Sequence, residues 1–145
     1  MAETAREIIY DALRFILVTG DEEPVQAVDL NRGIRLLNRM MAAFEAEGID
    51  LSYVAVTAGT DEVDVDDGAY EGIIANLALR MWPYYYKGDP NQIVVLHAAK
   101  GKKDLYMIAV EVEEMDFPDS LPIGSGNENQ AGIYDDPFFE QEYPV

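Results

Sequence analysis

Apolar residues recur along this chain at alternating intervals of three and four, and four such runs predict four helices. The clearest is Ala27, Leu30, Ile34, Leu37, Met41 and Phe44, one narrow stripe over about five turns. Arg32, Arg35, Arg39, Glu45 and Glu47 lie elsewhere on that cylinder, and Gly48 ends it. A first helix is expected from about Thr4 to Val18. Thr4 stands as N-cap with Glu7 at capping-box spacing, Ile9, Leu13 and Ile16 form the stripe, and Gly20 suits the position just past the end. Asp66 or Asp67 can cap a third helix through Tyr70, Ile74, Leu77 and Met81, which Pro83 should interrupt by pushing Trp82 out of the helical region. Asp89-Pro90-Asn91-Gln92 reads as the start of a fourth, with Asp89 as cap and Pro90 at the first position. Its stripe is Val94, Ala98, Gly101, Leu105, Ile108 and Val112. Gly101 costs about 1 kcal/mol relative to Ala in a helix, so it implies close helix–helix approach or a bend.

Between the second and third helices the period changes. Leu51, Tyr53, Val54 and Val56 have strand character, Ala58-Gly59-Thr60 reads as a turn, and Val63 and Val65 alternate with acids. The expected fold is therefore mainly all-α, an antiparallel bundle of about four helices with a small β-hairpin and an extended C-terminal arm. Residues 1–115 form the helical body, with the hairpin near 50–66, and residues 116–145 form the acidic arm. No internal repeat is apparent.

Charge changes the picture most in the last third. From Asp104 to Val145 there are eleven acidic residues and no Lys or Arg, a balance of −11; residues 1–103 hold seventeen acids and ten bases, a balance of −7. Such a segment buries too little apolar surface to offset the entropy of ordering alone, yet it keeps Phe117, Tyr134, Phe138, Phe139 and Tyr143. Acidity with aromatic anchors is expected of a segment that orders on a partner surface. Tight binding to nucleic-acid phosphates is disfavoured, because it needs clustered Lys and Arg. The chain has no cysteine, which excludes disulfides and thiolate zinc sites. No apolar run approaches the ~18 residues of a membrane span, and the acidic N-terminus has no signal-peptide character.

Candidate chemistries are few. Asp61 to Gly68 is rich in carboxylates, but an EF-hand register counted back from Gly68 puts Val63 and Val65 at ligand positions. His97 is the only histidine, and Ser52, Ser120 and Ser125 lie in no nucleophile-elbow context. Gly124-Ser125-Gly126 lacks the lysine and flanking elements of a phosphate loop. No enzyme activity, cofactor or metal is expected. Arg80, Trp82, Tyr84 and Tyr85 form a dense aromatic cluster that should close one end of the bundle or serve a subunit interface, where Arg, Trp and Tyr dominate. Lys100, Lys102, Lys103, Arg6, Arg14 and the arginines of the second helix could receive the acidic arm of a neighbour.

Three blocks, in order, resemble the tail accessory factors of short-tailed phages, also called packaged-DNA stabilisation or head-completion proteins. They are Met40-Met41-Ala42 through Gly48-Ile49 to Tyr53-Val54; Asn76-Leu77-Ala78, Arg80, Pro83 and Tyr85; and Phe117-Pro118 followed by Leu121-Pro122-Ile123-Gly124-Ser125-Gly126-Asn127. After Asn127 the ending is shorter and more acidic than the family pattern. The resemblance implies a structural virion protein at the head–tail junction, made in the host cytoplasm. It implies a ring, generally dodecameric, that binds beneath the portal protein, closes the DNA-filled head and offers a platform to downstream tail or tail-needle proteins. Genome DNA would pass through without tight binding, and no membrane is involved. Leu121, Pro122, Ile123, Gly124, Ser125, Gly126, Asn127, Phe138, Phe139 and Tyr143 are the residues it points to for binding portal or a neighbouring subunit. Two other classes compete. One is an acidic DNA-mimic inhibitor of a DNA-binding protein, the other a cell-wall hydrolase using paired carboxylates.

Overall fold

Thr4 begins the helical body as its sequence predicts. In the computed structural model, which describes residues 2–17 and 24–110, its hydroxyl accepts the Glu7 N–H at 3.4 Å while the Glu7 carboxylate accepts the Thr4 N–H at 2.8 Å. This capping box starts α1 (Ala5–Phe15), which buries Ala5, Ile8, Ile9, Ala12 and Leu13 on one face. Val18 and Gly20 lie outside the described residues. α2 (Ala27–Ala46) buries Ile34, Leu37, Met41 and Phe44 of the expected stripe together with Gly33 and Met40, whereas Ala27 is exposed and Leu30 half-buried. Gly48, at φ +89°, ends it in a Schellman turn: its N–H donates to Glu45 O at 3.0 Å, and Ile49 N–H to Phe44 O at 2.9 Å.

A two-stranded antiparallel sheet is present, but its strands differ from the expected hairpin. β1 (Glu3–Thr4) pairs with β2 (Glu62–Val63), Glu3 opposite Val63 and Thr4 opposite Glu62. Ile49 to Val56 is irregular. Asp50 accepts the Ser52 N–H at 2.8 Å and Ser52 takes φ +54°, which breaks an extended run at its centre. Asn38 on α2 then takes the place of a partner strand. Its amide donates to Val56 O at 2.8 Å, and its side-chain oxygen accepts Val56 N–H at 3.1 Å and the Tyr53 hydroxyl at 2.6 Å. The segment's strand-like residues are thus held on α2 by one asparagine. Further on, Ala5 N–H donates to Asp61 O and Arg6 N–H to Gly59 O, both at 2.9 Å. Those carbonyls satisfy the first free donors of α1.

A short 3-10 turn (Asp67–Ala69), with Asp66 before it making no side-chain cap, leads into α3 (Tyr70–Tyr85). Tyr70 ties this start to the sheet, donating to Val63 O at 2.7 Å and accepting Glu3 N–H at 3.2 Å. Pro83 does not interrupt α3: the helix runs on to Tyr85, and Trp82 O still accepts Tyr86 N–H at 2.9 Å. Contacts beyond the helix outweigh the donor lost at Pro83, since Trp82 donates to Gly88 O at 3.2 Å and Tyr86 to Ile16 O at 2.6 Å.

α4 (Gln92–Ala109) is capped by Asn91, whose side chain accepts Ile93 N–H at 3.0 Å, rather than by Asp89. Val94, Ala98, Gly101 and Leu105 are buried as the stripe requires; Val112 lies outside the described residues. Gly101 marks a close approach. A Cβ built there would stand 2.7 Å from Gly72 Cα, and one on Gly72 would stand 2.8 Å from Gly101 O. Beside this contact the buried Asn76 donates to Gly72 O at 2.8 Å and across to Ala98 O at 3.0 Å, joining α3 to α4. Among the described residues the body is mainly helical, with four α-helices and one small sheet.

Candidate interaction surfaces

The aromatic residues at the end of α3 meet the start of α2. Asp29 sits in the first turn of α2 and accepts the Tyr85 hydroxyl at 2.5 Å. Arg32, one turn on, pairs with Asp29 at 3.3 Å and donates to the Tyr85 hydroxyl at 3.4 Å. Its guanidinium lies 5.3 Å from the Tyr84 ring centroid and 5.5 Å from that of Tyr85, within cation–π range. Burial, then the Asp29 hydrogen bond, push the Tyr85 phenol up to about 12, against a smaller lowering by Arg32. Trp82 stacks on Tyr86 at 4.4 Å, and Tyr84 is exposed.

Arg80 is not part of this corner. It is exposed on another side of α3, 5.8 Å from the Phe44 ring, where Lys102 also approaches the ring at 5.7 Å while pairing with Glu47. Tyr84 and Tyr85 therefore gather around an arginine, but that arginine is Arg32, and Asp29 completes the set. Sequence reasoning placed Arg32 on an outer face and did not single out Asp29. Their three-residue spacing in the first turns of α2 is a local ion-pair signal, but nothing local connects them to Tyr85.

The carboxylate-rich stretch is engaged in structure. Asp61 accepts the N–H groups of Thr57 at 2.7 Å and Ala58 at 2.8 Å and the Thr57 hydroxyl at 3.0 Å. The Ala58 and Thr57 amides, then that hydroxyl, hold its carboxyl below the ordinary value. Val63 is buried in the sheet, which is incompatible with a ligand position. Near the N-terminus Glu3, Glu7 and Asp11 line an acidic hollow with Ala2. Burial, then Asp11, Glu7 and Asp67, push the Glu3 carboxyl up, while the Thr4 amide and hydroxyl hold that of Glu7 down. His97 is exposed and rests edge-on against Phe15 at 5.5 Å. Among the described residues no group of three or more His, Asp or Glu is placed to hold a metal ion, and no helix is long and apolar enough to cross a membrane.

α4 carries a second surface. Of ten large hydrophobic residues exposed among the described ones, six lie on α4 or its cap: Ile93, Val95, Leu96, Tyr106, Met107 and Val110. Met107 is 67% exposed and Leu96 60%. Leu121 to Asn127, Phe138, Phe139 and Tyr143 lie outside the described residues.

A search among curated proteins finds no match. The family model described as the P22 tail accessory factor, by contrast, matches residues 1–144. That span takes in both the helical body and the acidic segment after it. The family is one of phage structural factors rather than an enzyme class. The chain belongs to the P22 tail accessory factor family and is a virion-associated structural protein of a phage.

Proposed function

We propose that the chain is the adaptor between head and tail: a ring of copies, dodecameric as the resemblance implies, seated beneath the portal protein. There it closes the DNA-filled capsid and presents a platform to tail or tail-needle proteins. The observation that carries this reading is the family match along residues 1–144. Two features support it physically. The acidic segment pairs carboxylates with aromatic anchors, a composition suited to docking on another protein, whose new interface offsets the cost of ordering. In this reading Leu121 to Asn127, Phe138, Phe139 and Tyr143 make the portal or neighbour contacts. Tyr84 and Tyr85, with Trp82 nearby, present aromatic surface stiffened by Arg32 and Asp29 to an adjacent subunit, and Arg80 offers a separate charged contact. A net charge of −18 per copy also suits a channel through which DNA must slide, although screening confines the field to within about 8 Å at physiological salt.

The test is assembly. Purified chain mixed with portal rings should sediment as a larger, saturable complex. If light scattering and sedimentation show only free chain beside unchanged portal rings, the adaptor reading is wrong.

A further inference from the structure

α4 has two stripes. The inner one, Val94, Ala98, Gly101 and Leu105, packs into the body. The outer one is Ile93, Leu96, Lys100, Lys103, Met107 and Val110, at intervals of 3, 4, 3, 4 and 3. Its order is two apolar residues, two lysines, two apolar residues. The four apolar members are 43% to 67% exposed, and neither lysine makes an ion pair among the described residues. Lys102, by contrast, is spent on Glu47. Two exposed apolar pairs on one helix face of a small body mark an interaction site, and the lysines between them select an acidic occupant.

The chain itself contains a segment of that pattern. Tyr134-Asp135-Asp136-Pro137-Phe138-Phe139 reads aromatic, acid, acid, proline, aromatic, aromatic. Leu96 and Met107 are about 16 Å apart along the helix axis, and an extended Tyr134-to-Phe139 segment spans about 17 Å. Alternate side chains of an extended segment share a face, so Tyr134, Asp136 and Phe138 can face the helix together, the rings covering the two apolar ends of the stripe while Asp136 meets Lys100 or Lys103.

We infer that the outer face of α4 receives the acidic segment around Tyr134–Phe139 of a second copy, linking neighbours side by side. The inference rests on the ring reading above, because a ring holds the neighbour's arm at high effective concentration. It adds the acceptor surface, which that reading does not name.

Isotopically light and heavy full-length chains, mixed and assembled on portal rings, would be treated with a zero-length carbodiimide that joins lysine amines to carboxylates. The expected products are light–heavy peptide pairs linking Lys100 or Lys103 to Asp135, Asp136 or Glu140. Their yield should fall about tenfold in the L96D/M107D chain, whose helical circular dichroism should stay unchanged because both positions are exposed. Pairs found only as light–light and heavy–heavy would put the arm on its own helix and overturn the inference. Links from Lys100 and Lys103 to the body or the portal alone, or none, would overturn it too. If the chain does not load onto portal rings, the adaptor reading fails, and the same experiment on concentrated chain alone decides this inference by the same pairs.

Discussion

Gly101 shows how one residue can be read correctly in kind while its energetic sign waits on its neighbour. Helix propensity alone makes Gly101→Ala stabilising by about 1 kcal/mol. The Gly72 backbone reverses that, because a Cβ at 2.7 Å from Gly72 Cα cannot be relieved by turning a side chain. We expect Gly101→Ala to lose about 1–3 kcal/mol through helix separation, read as a lower urea midpoint with an unchanged slope. Tyr85 gives a second residue-scale prediction, in pH. Its phenol ionises near 10.0 when free and is pushed up to about 12 in the folded chain. Between those values the unfolded state binds fewer protons, so stability falls as pH rises. This contribution is intact below about 10 and lost through about 12. Tyr85→Phe should flatten that part of the alkaline decline, while costing about 1 kcal/mol near neutral pH for the lost Asp29 bond. Urea midpoints on either side of pH 10 would check both effects.

The elements divide by where their determinants lie. The capping box of Thr4 and Glu7, the stripes of α1, α2 and α4 and the glycine stop at Gly48 are local, and the sequence shows them directly. What could not be read there is long-range. The strand-like Leu51–Val56 segment finds its hydrogen-bond partner in a side chain of α2, so its β-branched pattern leads to no strand. Pro83 obeys its local rule only in losing a donor, and tertiary contacts of Trp82, Tyr85 and Tyr86 carry the helix past it. Asn91 displaces Asp89 as cap because α4 starts at Gln92, two positions later than predicted, which leaves Pro90 just outside the helix. The Arg32–Asp29–Tyr85 corner depends on residues more than fifty positions apart, whereas the Arg80 expectation followed sequence adjacency and landed on a different face. Asn38 is the element-scale test. Asn38→Ala removes three hydrogen bonds at once and leaves the buried Val56 backbone without partners. We expect a loss of about 1–3 kcal/mol and faster amide exchange at Val56, with α3 and α4 amides affected only through global stability. Unchanged protection at Val56 would show that the segment is held by packing alone.

At the scale of the whole molecule, charge and core are carried by different parts of the chain. Among the described residues the last core residue is Leu105, while residues 116–145 hold seven acids and no base. A chain cut after Met115 should therefore keep its helical circular dichroism and a cooperative melt, since it loses none of those packed side chains. It should nevertheless fail to assemble with portal rings, because the Leu121–Asn127 block and the aromatic anchors are gone. Loss of assembly could also arise from altered net charge alone, and a charge-preserving variant separates that from the anchors. Replacing Phe138, Phe139 and Tyr143 by Ser in the full chain leaves every charge in place but removes the anchors. If the anchors supply the docking energy, this variant assembles as poorly as the truncated chain. If it assembles like the parent, the anchors are not the docking element; assembly that then changes with added salt, which screens carboxylates beyond about 8 Å near physiological strength, points to charge, and assembly indifferent to salt points to the Leu121–Asn127 block.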